Sequence, residues 1–176
     1  GNTGTANDPG NVDTTAPAIT VSAPDNTNDT TPLITGTTDA AVGSTVSLVV
    51  TDSTGAVQNL TATVQTGGTY SVSPTTALAE GNYTVKASVT DAAGNTGTAN
   101  DPGNVDTTAP AITVSAPDNT NDTTPLITGT TDAAVGSTVS LVVTDSTGAV
   151  QNLTATVQTG GTYSVSPTTA LAEGNY

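Results

Sequence analysis

Tyr83-Thr84-Val85-Lys86-Ala87-Ser88-Val89-Thr90 alternates without a break: Tyr, Val, Ala and Val on one side, Thr, Lys, Ser and Thr on the other. Successive side chains leave a β-strand on opposite faces, so a period of two marks a strand with one face buried and the other wet. Just ahead of it, Glu80-Gly81-Asn82 reads as a turn. A Tyr that opens the penultimate strand after a Gly turn matches the tyrosine corner of Greek-key sandwiches, where the ring fills core and the hydroxyl bonds backbone upstream. A Tyr merely packed in its strand accounts for it equally well.

The same period recurs outward in both directions. Val46, Leu48 and Val50 alternate within 44–51, and shorter strands read at 18–22, 33–37, 57–64 and 69–73, with a last short one at 96–99. Turn formers separate them: Pro24-Asp25-Asn26, Asp52-Ser53-Thr54-Gly55, Gly67-Gly68 and Asp101-Pro102-Gly103. Helical periodicity is absent beyond one turn at 76–80. Seven short strands of this spacing predict an all-β fold, a two-sheet sandwich of the immunoglobulin type without its disulfide or its Trp.

That unit is repeated. Residues 1–83 recur unchanged as 94–176, a period of 93, with 84–93 present once. A period of 93 is too long for a solenoid and right for one small β-domain. Val12-Asp13-Thr14-Thr15-Ala16-Pro17, recurring at 105–110, reads as the linker. The expected frame is therefore tandem Ig-like Greek-key sandwiches: 1–12 the tail of a preceding repeat, 13–105 a complete repeat, and 106–176 a second that lacks its last two strands.

Composition limits the chemistry. Fifteen acidic residues face one Lys, with no Arg, His, Cys, Met, Trp or Phe, for a net charge of −14. Thiol and imidazole chemistry, the usual structural zinc site and haem ligation are excluded. Nucleic-acid and anionic-membrane binding need Lys and Arg. No apolar run nears the roughly 20 residues of a membrane-spanning helix, so no direct membrane insertion is expected. The many Ser and Thr have no evident base, and four Tyr do not wall a catalytic cleft. Neither an enzyme nor a small-molecule substrate is expected. Val, Ile and Leu make up 32 of 176 residues, 18%, under the roughly 20% below which acidic chains often stay unfolded. The core needs support, and the Asp residues are the candidates.

The runs Val89-Thr90-Asp91-Ala92-Ala93-Gly94-Asn95-Thr96, Val105-Asp106-Thr107-Thr108-Ala109-Pro110, Leu33-Ile34-Thr35-Gly36-Thr37-Thr38-Asp39-Ala40 and Ala79-Glu80-Gly81-Asn82-Tyr83 together resemble the bacterial Ig-like extender repeats of giant RTX adhesins. The resemblance covers the whole chain. It implies a secreted protein of the bacterial cell surface, its neighbouring identical repeats as partners, and calcium at the domain junctions stiffening a long stalk.

Topology points to calcium independently. In an Ig sandwich the B–C and F–G loops lie at the end where the chain comes in. Asp13 of the linker, Asp39 of the B–C loop and Asp91 of the F–G loop are expected to converge there, and three carboxylates close together favour a hard cation with six to eight oxygen ligands. Asp106 and Asp132 are their counterparts at the second junction. Asp101 is a further candidate near the outgoing end, with Asp25 and Asp29 in the A–B turn as weaker ones. Asp52 reads as a turn former. Two functions fit: a calcium-stiffened spacer that projects a distal binding region, or a module whose Thr-rich faces, such as Thr61-Ala62-Thr63, bind carbohydrate or ice. A spacer tolerates many identical copies, which favours it.

Overall fold

The alternating stretch becomes the strand on which the first repeat closes. In the computed structural model, which describes residues 3–176, the strands are β1 (Ile19–Ser22), β2 (Ile34–Thr38), β3 (Thr45–Thr51), β4 (Val57–Thr63), β5 (Thr69–Val72), β6 (Gly81–Thr90) and β7 (Thr96–Val105), followed by β8 (Ile112–Ser115), β9 (Ile127–Thr131), β10 (Thr138–Thr144), β11 (Val150–Thr156) and β12 (Thr162–Val165). Two compact units divide between Thr107 and Thr108. Among the described residues no helix is long and apolar enough to cross a membrane.

The first unit is a sandwich of a three-stranded sheet, β1-β2-β5, on a four-stranded one, β4-β3-β6-β7. Neighbouring strands are antiparallel throughout. Between them lies one core. Ile34 and Tyr70 from the smaller sheet meet Val46, Leu48, Val50, Val85, Ala87 and Val89 from the larger, all 2% exposed or less. Burying a Val, Leu or Ile side chain contributes about 1.5–3 kcal/mol. With so few large side chains, the polar anchors matter.

Two tyrosines are such anchors. The Tyr83 ring lies over Gly103, its cross-strand partner, and Tyr70 over Gly36, its own partner. A Cβ on either glycine would overlap the facing ring. The hydroxyls are anchored differently: Tyr83 donates across the sandwich to the Pro24 carbonyl just after β1 (2.9 Å), and Tyr70 donates within its own sheet, past β2, to the Thr20 carbonyl on β1 (2.5 Å). Tyr83 thus fills core and bonds backbone, but across 59 residues of chain rather than the few of a tyrosine corner.

β7 is longer than its sequence announces. It continues through Asp101-Pro102-Gly103, which reads as a turn, and ends at Val105. Pro102 is tolerated because β7 is an edge strand, where a missing N–H costs no ladder bond on the open side. Gly103 is needed for the Tyr83 ring rather than for a turn. The A–B loop is sewn to the end of β7 by Thr27 N–H on the Asn104 carbonyl (3.1 Å) and Asp106 N–H on the Thr27 carbonyl (2.9 Å).

Asp52 is a turn former, and more. Its Oδ1 accepts from Thr54 N–H (2.9 Å), Thr54 Oγ1–H (2.6 Å) and Ala56 N–H (3.0 Å), closing the β3–β4 hairpin, while Oδ2 accepts from Ala79 N–H (3.3 Å) before β6.

The second unit repeats the sheet β12-β9-β8 and the hairpin β10-β11. Tyr163 donates to the Thr113 carbonyl (2.6 Å), as Tyr70 does to Thr20, and Asp145 repeats the contacts of Asp52. Residues 3–12 have the sequence of 96–105, yet they are exposed and form no strand. Val12 is 88% exposed where its counterpart Val105 is 1% exposed.

The anchors yield two expected outcomes. Tyr83→Phe should leave the Pro24 carbonyl without its donor and cost about 1–2 kcal/mol, a fall in Tm of roughly 5–10 °C. Burial pushes the Tyr70 and Tyr83 phenols up to about 12. Their contribution to stability is complete below the unfolded value near 10 and is lost as pH rises toward about 12. Denaturant unfolding between pH 9 and about 12 should therefore show a steep loss of stability, flattened in the Tyr70→Phe, Tyr83→Phe double variant. Asp52 behaves in the opposite sense. The Thr54 hydroxyl, joined by backbone N–H groups of Ala79, Thr54 and Ala56, holds its carboxyl below the usual range. That contribution is present above the unfolded pKa near 3.9 and is lost as pH falls through the depressed folded value. Asp52→Asn should lower Tm at neutral pH, with the gap from wild type closing near pH 2.

Candidate metal centre

The chain enters the first unit beside the loops on either side of the sandwich. Ala18 is clamped by the B–C loop: its N–H donates to Asp39 Oδ1 (2.8 Å), and its carbonyl accepts from Thr38 Oγ1–H (2.7 Å) and Asp39 N–H (3.3 Å). One residue earlier, the Pro17 carbonyl passes over Gly97 at the start of β7 so closely that a Cβ there would collide with it. This contact forces the linker against the F–G side.

Asp91 and Asn95 hold that side. Asp91 Oδ1 accepts from Ala93 N–H (2.9 Å) and Asn95 N–H (2.8 Å), which shapes the β6–β7 turn. The Asn95 side-chain amide donates to Asp91 Oδ2 (3.0 Å) and to the Asp13 carbonyl (3.1 Å). Asn95 therefore ties the linker to the turn. The Asn95 amide, with the backbone N–H groups of Asn95, Ala93 and Gly94, keeps the Asp91 carboxyl below its ordinary range against a smaller effect of burial. Asp13 Oδ1 accepts from Thr15 N–H (3.0 Å). Linker, B–C loop and F–G loop thus meet at one pole, with Asp13, Asp39 and Asp91 among them.

Their carboxylates remain separately engaged. Among the described residues, no group of three or more acidic side chains is gathered so as to hold a metal ion. In kind the donors fit a hard divalent cation, since all are oxygens. In placement, the three carboxylates are turned onto Thr15, Ala18 and the β6–β7 turn rather than onto one point.

The remaining acidic residues are dispersed. Asp101 faces inward from β7 opposite Val85, and its Oδ2 accepts from Ala23 N–H (2.8 Å) at the end of β1. It serves as a strand cap within the sandwich rather than as a turn residue. Asp29 closes a local turn by accepting from Thr31 N–H and Oγ1–H (2.8 and 3.1 Å). At the outgoing pole Thr107 Oγ1–H donates to Glu80 Oε2 (2.5 Å), and Ser53 Oγ–H to the Glu80 carbonyl (2.6 Å). Asp106 and Asp132 belong to different compact units; the Asp132 N–H donates to the Ala111 carbonyl (3.4 Å) within its own unit. Sequence reasoning passes over Asn95 as a bridging residue, although its spacing of four from Asp91 is that of a side chain closing a tight β-turn.

The chain is similar to several solved structures. One is a tetra-tandem repeat in the extending region of a large adhesion protein, at 37% identity over 89% of this chain and 40% of that one (TM-score 0.45). Another is a Ca2+-stabilized adhesin that helps an Antarctic bacterium reach out and bind ice, at 27% over 87% and 41% (TM-score 0.49). A third comes from work on the host cell surface retention of a 1.5-MDa bacterial ice-binding adhesin, at 24% over 87% and 54% (TM-score 0.43). The chain thus spans 40–54% of their lengths. No curated protein matches it. A sandwich of seven antiparallel strands in two sheets is the expected form of an Ig-like repeat, and the family model that matches residues 5–107 makes this chain a member of the bacterial Ig-like domain family.

Proposed function

We propose that the chain is part of an extender: tandem spacer repeats of a bacterial surface adhesin that hold a distal binding region away from the cell. One observation carries this reading. In the first unit the chain comes in beside Asn95, at the start of β7, and goes out beside Glu80, at the end of β7. Ten strand residues separate the two poles, about 33 Å. A module with opposed ends, repeated at a period of 93 without a change, adds length with each copy.

Calcium is the finer part of the proposal. Fifteen acidic residues with one Lys repel one another, and screening over about 8 Å in physiological salt weakens that repulsion without fixing an angle between repeats. A cation held by oxygens of the linker and of the repeat that follows would fix it. In this reading Asp13 acts with Asp39 and Asp91, and Asp106 acts with Asp132. Asp101, already capping Ala23, is the weakest of the six. The cation is structural; its chemistry is charge compensation and orientation.

A second reading has one observation behind it. Thr61, Ser47, Ser88 and Thr98 stand in register across the outer face of the four-stranded sheet, a row of hydroxyls that carbohydrate or ice can bind. Strand twist of about 20–25° per neighbour turns such a row out of plane, and stacking aromatics are lacking on that face. The spacer reading is the stronger.

Two measurements test the proposal. Extracellular modules bind calcium at roughly 10⁻⁴ to 10⁻³ M, and at 100 times the dissociation constant one site adds about 2.7 kcal/mol. Melting in about 10 mM calcium, roughly 10 to 100 times that constant, should therefore exceed melting in EDTA by several degrees, and an unchanged Tm would remove calcium from the scheme while leaving the spacer. By small-angle scattering the maximum dimension should lengthen on calcium addition in wild type and stay constant in Asp106→Ala. Equal lengthening in both would show that Asp106 does not set the junction.

A further inference from the structure

We propose that the segment 17–27 and β7 form a shear clamp, a set of bonds that takes tension arriving through the linkers on either side of the first unit. The proposal rests on the extender reading, since a stalk under load pulls on both linkers at once. Its basis is direction. The Pro17 carbonyl lies over Gly97, Ala23 N–H donates to Asp101 Oδ2 (2.8 Å), and Thr27 bridges Val105 in parallel. The incoming segment of the repeat therefore runs the same way as its last strand, although the strand pairs within both sheets of this unit are antiparallel.

Two parallel segments pulled from opposite ends slide past each other. Tension on the incoming linker draws 17–27 toward one pole, and tension on the outgoing linker draws β7 toward the other. The bonds between them are then loaded together, whereas peeling breaks them one at a time. Besides Ala23 N–H on Asp101, they are Asn104 N–H on the Pro24 carbonyl (3.2 Å), Thr27 N–H on the Asn104 carbonyl (3.1 Å) and Asp106 N–H on the Thr27 carbonyl (2.9 Å). The Pro24 carbonyl also accepts from the Tyr83 hydroxyl, which fixes the clamp to the core. Asp101 has a definite part. Asn104 turns both its N–H and its carbonyl to the segment, and Pro102, on the same side by the period of two, has no N–H to give. The Asp101 carboxylate supplies a bond at that level instead.

The test is single-molecule pulling on the full chain in EDTA, so that it answers separately from calcium-dependent lengthening. The sequence has no Cys, and exposed positions can carry the handles. Ala16→Cys with Ala109→Cys loads the two linkers as a stalk does. Ala16→Cys with Ala92→Cys pulls on two segments of the incoming pole and peels 17–27 from β7. Rupture of the first unit should need roughly twofold more force, or higher, in the 16–109 geometry, because there the bonds share the load. Asp101→Ala should speed rupture at constant force about fivefold in that geometry, the effect of one lost hydrogen bond, and leave the 16–92 geometry unchanged. Equal forces in the two geometries, a comparison that alters no clamp residue, would overturn the clamp and leave the spacer standing. Equal acceleration of both geometries by Asp101→Ala would overturn it too, since a merely structural residue acts in that way.

Discussion

The pairing of β6 between β3 and β7 is the constraint on which the rest depends. Ten residues long, β6 is in register with both neighbours, and its inward residues meet the smaller sheet through Tyr70 and Ile34. A strand buries its apolar face only when a lateral partner satisfies its backbone and an opposing layer covers its side chains. With β6 in place, one continuous core forms. Val105 illustrates the dependence most directly. It is buried beside β6, and the identical Val12 stands 88% exposed.

Because the core is small, polar groups carry much of the specification. Tyr70 and Tyr83 combine a large buried ring with a hydroxyl that needs a partner, and both find backbone carbonyls on or just after β1. The Asp residues do the equivalent in the loops, each accepting N–H groups that a tight turn leaves without a ladder partner. Among the described residues no buried side-chain polar atom lacks a hydrogen bond. Loops fixed in this way hold the incoming linker at one pole and the outgoing one at the other, which is the geometry a spacer requires.

The same economy explains how much of the candidate site could be read in advance. That the loops bearing Asp13, Asp39 and Asp91 share a pole follows from strand order in an Ig-like sandwich, and strand order follows from alternation and turn residues. How each carboxylate is engaged does not follow. Asp39 is turned onto Ala18, Asp91 onto its own turn and Asn95, and Asp101 into the edge of the sandwich onto Ala23. Those orientations depend on which N–H groups the folded loops leave unpaired, and that is a property of the assembled sandwich. Asp52 was legible because its partners lie within four residues; Asp101 was not, because its partner is 78 residues away.

The sequence by itself determined the strands from β1 to β6, the turns between them, the all-β class and the 93-residue repeat, since alternation and turn chemistry act over a few residues. Only the tertiary structure decided β7. The run Thr-Gly-Thr-Ala-Asn-Asp-Pro-Gly-Asn-Val occurs twice, as an exposed segment at 3–12 and as a ten-residue strand at 96–105. Its Gly, Asp and Pro residues have weak strand preference, so the outcome rests on what lies beside it. At 96–105 that neighbour is β6, which supplies a ladder of ten paired residues, a Tyr83 ring to cover Gly103, and an opposing sheet whose Ala23 N–H needs Asp101. At 3–12 no strand among the described residues lies beside it.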